Sequence, residues 1–236
     1  MAISAAISLT SASGDLTSNA LTLSSSTALT KAGLSTALAN TSGLAKKTTT
    51  TTSEYTLFYA DDYTDSKAHK LYIKNTSATP AEFFTISNGD ETLGLMYAGD
   101  WALIPWGAIN GTKATFTATV TGDWVATDTA IFDGVTITAT GATEGIHVGN
   151  VMRAASYPNW IASGTADAAA VTFTAKRSDY LGLIETGAAS DDWVVDTDGS
   201  GTMVIARGVT AVASANDIKI TPGQAANTIE YALFYE

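Results

Sequence analysis

Apolar and polar residues alternate along most of the chain from residue 55 onward, which is the pattern of half-buried β-strands. Residues 68–75 alternate and end at a turn-rich segment. Residues 82–87 alternate again before Asn88-Gly89-Asp90, a combination typical of a tight hairpin. Short strands separated by such turns predict a mainly β fold, either an antiparallel β-sandwich or a jelly-roll-like barrel.

One hexapeptide occurs twice in nearly the same form. Residues 54–59 read Glu-Tyr-Thr-Leu-Phe-Tyr, and residues 230–235 read Glu-Tyr-Ala-Leu-Phe-Tyr. In a strand, each copy places its two tyrosines and its leucine on one face. We therefore expect the two copies to occupy equivalent places in one sheet, which the chain leaves after the first copy and rejoins at the second.

A second β pattern lies between the two copies of the hexapeptide. Gly-Asp-Trp-Val at 122–125 and Asp-Asp-Trp-Val at 191–194 stand near its two ends. Strands are predicted inside it at 134–139, 170–175 and 203–206.

This middle stretch also contains the best helix candidate, residues 150–163, which Pro158 must shorten or kink. A β-sandwich domain formed by residues 54–119 and 209–236, with an inserted α+β domain at 120–208, explains why the hexapeptides bracket the chain. Such insertions are well tolerated where the two ends of the interrupted domain lie close together.

Residues 1–53 form a third region that is rich in Ser and Thr and almost uncharged. Apolar residues recur regularly in it, and residues 20–24 alternate as a strand does. We predict an extended arm with one or two strands, ordered by packing on its own body or on a neighbouring subunit. A flexible tail ending in the threonine run at 48–52 is the alternative. The arm residues expected at intersubunit contacts are Ile3, Ile7, Leu9, Leu21 and Leu23.

Large apolar residues on the predicted strands of the sandwich are the expected core and sheet contacts. They are Phe58, Tyr59, Leu71, Ile73, Trp101, Leu103, Ile104, Trp106, Leu233 and Tyr235. For the five tryptophans of the chain, a core position is favoured first, a protein interface second and stacking on sugar rings last.

The charge of the chain is sparse and acidic. Charged residues make up 15% of the sequence, against about 25% in an average protein. This hydroxyl-rich, weakly charged surface predicts that neighbouring subunits cover much of the exterior, as in a homo-oligomer. The net charge is -11 and basic residues are not clustered, so binding to nucleic acid or to an anionic membrane is not expected.

No catalytic or cofactor-binding motif is present in the sequence. The chain has no cysteine and two histidines, His69 before a strand and His147 between glycines, and we expect both at surface or turn positions. Neither histidine has partners at the spacing of a zinc site. We therefore expect no enzyme activity, no catalytic residue, no cofactor and no resident metal.

Two acidic segments leave calcium binding open. Asp61, Asp62 and Asp65 form one dense group, and Asp196 with Asp198 resembles part of a calcium loop that lacks its first and last ligands. Plain turns are the favoured interpretation of both segments.

The sequence also bears on location. No stretch approaches 18 uninterrupted apolar residues, so we expect no transmembrane helix. Residues 1–7 lack the basic start of a secretory signal, so we expect synthesis in a cytoplasm without export by that route.

Several phrases of the sequence resemble virion structural proteins of tailed bacteriophages, particularly those that infect cyanobacteria. In the outer domain they are Ala-His-Lys-Leu-Tyr-Ile-Lys-Asn-Thr at 68–76, Leu-Met-Tyr-Ala-Gly-Asp-Trp at 95–101, Pro-Trp at 105–106 and Ile-Glu-Tyr-Ala-Leu-Phe-Tyr-Glu at 229–236. The middle stretch, from 133–139 to 171–175, is similar to a small α+β domain of phage head and tail proteins, although Tyr-Pro at 157–158 interrupts its helix.

This resemblance implies a non-enzymatic virion protein, assembled in the host cytoplasm, whose partners are the major capsid protein or tail proteins. The first expectation is a capsid decoration or cement protein that binds coat subunits through its arm and β body. The alternative is a tail, neck or fibre component, including a host-binding module. A secreted adhesin-like β protein is a third hypothesis, against which the missing signal sequence counts.

Overall fold

The computed structural model describes residues 3–12, 20–140, 143–180, 187–188, 193–196 and 200–236. In that part of the chain the protein is mainly β, and its paired strands are antiparallel, as the alternation predicts. Helix α1 spans Gly145–Ala154, and a short 3₁₀ turn spans Ala60–Asp62.

The strands are, in chain order, β1 (Ser4–Ser11), β2 (Leu21–Ala28), β3 (Asn40–Thr41), β4 (Ala45–Thr48), β5 (Tyr55–Phe58), β6 (His69–Asn75), β7 (Phe83–Asn88), β8 (Glu91–Tyr97), β9 (Trp101–Trp106), β10 (Thr115–Thr121), β11 (Asp123–Trp124), β12 (Thr129–Phe132), β13 (Val135–Thr138), β14 (Thr143–Glu144), β15 (Trp160–Ser163), β16 (Ala170–Ala175), β17 (Gly187–Ala188), β18 (Trp193–Asp196), β19 (Thr202–Arg207), β20 (Ile218–Pro222) and β21 (Thr228–Tyr235).

The chain forms two compact units. We call them the framework unit, Met1–Ile109 with Asn216–Glu236, and the inserted unit, Asn110–Ala215. The sequence predicted an insertion at 120–208. The observed inserted unit begins ten residues earlier and ends seven residues later than that prediction. The reason is that β10 pairs with β16 and β19, and therefore belongs entirely to the inserted unit.

The framework unit is a sandwich of two sheets. The first sheet has the order β5-β20-β7-β8. The second has the order β3-β21-β6-β9, with β4 pairing along the same strand, β21, as β3 does. Each sheet contributes one face to a shared core, because alternate side chains of each strand point inward. The largest core residues are Phe58, Phe84, Ile86, Met96, Ile218 and Ile220 from the first sheet, and Leu71, Ile73, Trp106, Ile229 and Leu233 from the second.

The two hexapeptides lie in different sheets, so the expectation that they share one is wrong. The first forms β5, which pairs with β20, and the second forms most of β21, which pairs with β6. Across the core, the rings of Phe58 and Tyr231 meet edge to face with centroids 5.6 Å apart. An alternating pattern specifies which face of a strand is buried, but it does not specify the sheet that the strand joins.

A buried amide links the two sheets. Asn75, on β6, is fully buried, and its Nδ2 donates to the carbonyl oxygens of Glu82 and Met96 at 3.1 and 3.0 Å. Its Oδ1 accepts from the Ser77 amide at 2.9 Å. These bonds satisfy polar groups that lie in or near the core. The bond to the Met96 carbonyl also holds the end of β8 to the second sheet.

Asn216 joins the ends of the framework unit at the points where the chain leaves and returns. Its Oδ1 accepts from the Ile109 amide at 2.9 Å, and its Nδ2 donates to the Gly107 carbonyl. Its own carbonyl accepts from Nε1 of Trp106 at 2.8 Å. The junction is thus closed by contacts within the framework unit itself.

The inserted unit has its own core beneath a five-stranded sheet of order β15-β16-β10-β19-β17. The rings of Phe116 and Phe173 stack at 4.7 Å between centroids, with Trp160 edge-on to Phe116 at 5.0 Å. Trp124, on β11, is also fully buried. Each unit therefore buries an aromatic cluster of its own.

Helix α1 differs from the predicted helix at 150–163. It ends at Ala154, and residues 160–163 form β15, because a residue that precedes proline is disfavoured in helical conformation. The helix begins at Gly145, where an added Cβ would lie 2.3 Å from the Val120 carbonyl oxygen. Glycine is required there because the helix packs directly on the backbone of β10. No helix among the described residues has the length and apolar character needed to cross a membrane.

Candidate assembly interface

The N-terminal arm begins as a β-hairpin. Strands β1 and β2 pair over their full lengths, from Ser4 opposite Ala28 to Ser11 opposite Leu21. Directly opposed residues lie on the same face of such a ribbon, so its two faces can be assigned from the register. One face carries Ile7 opposite Ser25 and Leu9 opposite Leu23. The other face carries only small and hydroxyl side chains, namely Ala6, Ser8, Thr10, Thr22, Ser24 and Ser26.

The apolar face of this hairpin is open to solvent. Ile7 is 41% exposed, Leu9 55% and Leu23 49%. An isolated two-stranded hairpin is only marginally stable in water, because it has no second layer on which to bury its apolar face. Burial of this face against any other surface would stabilise the hairpin.

The predicted arm residues have different positions in the hairpin. Ile3 is half-buried at its base, where the Ile3 carbonyl accepts from the Leu29 amide at 2.8 Å. Ile7, Leu9 and Leu23 lie together on the apolar face. Leu21 is paired in β2, but its side chain falls outside the described part of the structure.

The base of the hairpin is held to the framework unit. Leu29 and Leu38 are buried, and the Leu38 amide donates to the Leu29 carbonyl at 2.8 Å. The Ala32 amide donates to Oε1 of Glu236 at 2.7 Å, and the Ala68 amide reaches the same oxygen at 3.1 Å. These two amides lower the pKa of the Glu236 carboxyl, so the contact is strongest when that group is ionised.

The rest of the predicted arm belongs to the framework sheet. Strand β4 pairs with β21 from Ala45 opposite Tyr231 to Thr48 opposite Thr228, and β3 continues the same edge. The predicted arm of residues 1–53 is therefore two structures: an exposed hairpin ending at Ala28 and an edge strand that begins at Asn40.

Most of the predicted core and sheet residues lie in the framework core. Those buried or packed against it are Phe58, Leu71, Ile73, Ile104, Trp106, Leu233 and Tyr235. Tyr59 follows β5 and is partly buried. Trp101 is 51% exposed, so its assignment to the core is wrong, although it does pair with Lys74 in the sheet. Leu103 lies on the same outer face and is half-buried.

His69 is fully buried, so its predicted surface position is also wrong. Its ring lies 5.2 Å from that of Trp106 and 5.5 Å from that of Tyr63, centroid to centroid. Burial lowers the pKa of His69, an effect that the Glu236 carboxylate opposes, and burial with the nearby Tyr235 and Asp62 raises the pKa of Tyr63 to about 12. Both groups are neutral packing elements near pH 7. His147, by contrast, is exposed on α1 as expected.

The acidic segments do not form a recognisable metal site in the described residues. Asp61 and Asp62 lie on the 3₁₀ turn and Asp196 ends β18, while Asp198 is outside the described part. Across the described ranges, no group of three or more His, Cys, Asp or Glu side chains is placed to hold a metal ion.

A second, partly exposed surface contains residues that were not predicted to form a site. Tyr72 and Phe234 lie on the outer face of the second sheet, alternating with the core residues Leu71 and Leu233. The period of two along β6 and β21 was the signal that assigns them to that face. The protein thus presents exposed apolar surfaces on the hairpin and on the sandwich. Its function must be argued from these surfaces, since no known family model matches the chain and no curated protein is significantly similar to it.

Proposed function

We propose that the protein is a non-enzymatic virion structural protein, specifically a capsid decoration or cement protein that binds coat subunits through its N-terminal hairpin and β body. The observation that carries the proposal is the hairpin of β1 and β2, with Ile7, Leu9 and Leu23 exposed on one face. Such a ribbon can lie along a neighbouring subunit, with main-chain pairing at its edges and apolar contacts on one face.

The strength of one such contact can be worked out from the exposed side chains. Complete burial of a leucine or isoleucine contributes about 1.5–3 kcal/mol, and about half of that remains to be gained at each of the three positions. One hairpin would therefore contribute about 3 kcal/mol, which is weak. A regular coat lattice offers many equivalent sites, and linked weak contacts on it become strong through high effective concentration.

The charge of the chain supports a position on the outside of a particle. A net charge of -11 is repelled by a packaged genome, which is itself a dense polyanion. A tail, neck or fibre component, including a host-binding module, is the alternative and differs in where on the particle the chain is found.

The experiment is localisation on purified particles, with a peptide tag placed after Gly134, a turn residue of the inserted unit with positive φ and open space around it. We expect label over the whole head. Label restricted to the tail or neck would replace decoration by the alternative, and the absence of the chain from particles would overturn both. The matched control is the same tagged protein without residues 1–28. Particles that carry this variant should show no label on the head.

A further inference from the structure

The outer face of the second sheet combines an apolar centre with basic residues. The register places the outward residues of β21, β6 and β9 side by side, with the buried Ala232 opposite Tyr72 and Tyr72 opposite Leu103, both of which are partly exposed. Trp101 and Phe234 extend this centre at two corners. Lys46, Lys70 and Lys74 lie on the same face, together with Glu230, which accepts from the Tyr72 hydroxyl at 3.2 Å. We call this surface the basic face.

Strand β8, at the edge of the first sheet, combines an apolar stripe with acidic residues. Leu93, Leu95 and Tyr97 are each roughly half exposed, and Leu95 and Tyr97 lie opposite Thr85 and Phe83 on the side away from the core. Exposed acids lie at both ends of the strand: Asp90 precedes it, Glu91 is its first residue, and Asp100, which directly precedes Trp101, follows it. We call this surface the acidic edge.

Nothing on the first sheet cancels the charge of the acidic edge. Lys219, on β20, is the basic residue of that sheet, and its Nζ is paired with Glu54 at 3.2 Å. The carboxylate of Asp100 accepts from the Tyr97 amide at 2.8 Å, so that acid is held beside the apolar stripe. An apolar centre with an acidic rim is the complement of an apolar centre with a basic rim.

The two surfaces also match in length. From Lys70 to Lys74 on β6 and from Leu93 to Tyr97 on β8 there are four residue steps, or about 13 Å at 3.3 Å per step. Their apolar side chains lie on the outer sides of different sheets of one sandwich, and only Asp100, next to Trp101, adjoins both surfaces. They therefore cannot meet within one copy of the chain.

We infer that the basic face of one copy binds the acidic edge of a second copy, so that the protein associates head to tail. The complement of each surface is present on the chain itself, which identifies a second copy as the partner. Because the two surfaces differ, the contact is heterologous, and repeating it gives rows or closed rings rather than simple two-fold dimers. The inference goes beyond the proposed function, since it concerns copies of this chain and not the coat.

Few side chains contribute to each surface, so one contact buries less than the roughly 1,200 Å² of a stable interface. We expect association that increases with protein concentration. It should weaken at about 0.5 M salt, where charges are screened over distances of a few ångströms. Sedimentation velocity of the full chain over a range of concentrations measures both effects.

Charge reversal tests the pairing. The first variant, Lys70→Glu with Lys74→Glu, makes the basic face acidic, and the second, Asp90→Lys with Glu91→Lys, makes the acidic edge basic. Each variant alone should sediment as a monomer, because it opposes like charges. A mixture of the two should associate again, since both of its mixed contacts then pair opposite charges.

A matched control changes charge elsewhere. Asp123→Lys with Asp179→Lys alters two exposed acids of the inserted unit and should associate as the parent protein does. Far-UV circular dichroism during heating checks that every variant is folded. A monomeric parent protein at all concentrations, association of either variant alone, or a mixture that stays monomeric would each overturn the inference. The chain lacking residues 1–28 should associate normally, so this result is independent of whether the hairpin binds a coat.

Discussion

Removal of residues 1–28 should leave the β-sandwich of the framework unit intact, whereas removal of residues 1–47 should severely destabilise it. The shorter deletion takes away the hairpin of β1 and β2 and, at its base, the hydrogen bond from the Leu29 amide to the Ile3 carbonyl. One such bond contributes about 1 kcal/mol to stability. The free energy of unfolding should therefore fall by about 1 kcal/mol or less.

The longer deletion removes an edge strand. Two residue pairs of β3 and three of the four pairs of β4 are lost against β21, since Thr48 remains, together with the two hydrogen bonds between Ser42 and Leu233 at 2.9 Å. At about 0.5–1.5 kcal/mol for each of roughly six bonds, and about 2 kcal/mol for the buried Leu38, the loss is on the order of 5–10 kcal/mol. That is comparable with the entire stability of an ordinary domain.

Hydrogen exchange of the β21 amides and urea unfolding would measure the difference. In the 1–28 deletion, protection of these amides should match that of the full chain. In the 1–47 deletion it should be lost. Equal protection in both deletions would refute the assignment of β3 and β4 to the framework sheet. Loss of protection in the shorter deletion would refute the view that the hairpin is dispensable for folding. Only a folded truncation can test particle binding, so the shorter deletion is the one to use.

Substitutions at three buried positions, Asn75, His69 and Phe173, test the interior. Asn75→Ala removes three hydrogen bonds and should lower the unfolding free energy by about 3 kcal/mol in urea titrations, whereas Asn40→Ala at an exposed site should change it by less than about 0.5 kcal/mol. Because burial lowers the pKa of His69 below 6.5, the unfolded chain binds a proton that the folded chain does not, so stability should fall as the pH drops from 7 to 5. His69→Phe should reduce that loss, and an unchanged pH slope would contradict the expectation. Phe173→Ala should cost about 3–5 kcal/mol and Phe173→Leu clearly less, as measured by thermal unfolding; similar effects of the two would show that the stacked ring is not a close-packed core element.

The sequence predicted strands best where polar residues mark one face. In β6, lysines and Tyr72 alternate with Leu71 and Ile73, and the structure buries the residues expected. The run Trp-Ala-Leu-Ile-Pro-Trp of β9 has no polar residue to mark its outer face, so either set of alternate positions could be buried. For this reason Trp101 was predicted to lie in the core. In the structure, Ala102, Ile104 and Trp106 face the core instead.

The helix was misplaced for a different reason. Gly145 and Gly149 have poor intrinsic preference for helix and therefore resemble turn residues. In the structure an added Cβ at Gly149 would lie 2.5 Å from the Ala168 carbonyl oxygen, so close packing of the helix on its neighbours explains both glycines. A requirement of this kind arises from tertiary contacts and leaves no periodic signal. The hairpin residues Ile7, Leu9 and Leu23 were recognisable from sequence because they are spaced for one face of a ribbon.

The hydrogen bonds of Asn216 fix the site in the framework unit at which another domain is inserted. Asn216 holds the backbone beside Trp106 and Ile109, so the framework itself brings the two ends of an insertion together. In the present insert, Thr112 and Val212 also exchange two backbone hydrogen bonds near its ends. The entropic cost of closing a loop rises by only about 0.6 kcal/mol for each doubling of its length. Domains of very different size should therefore be able to replace residues 110–215 with little loss of framework stability. An insertion site of this kind suits the display of foreign domains, and it allows one half of the molecule to change during evolution while the other half is kept.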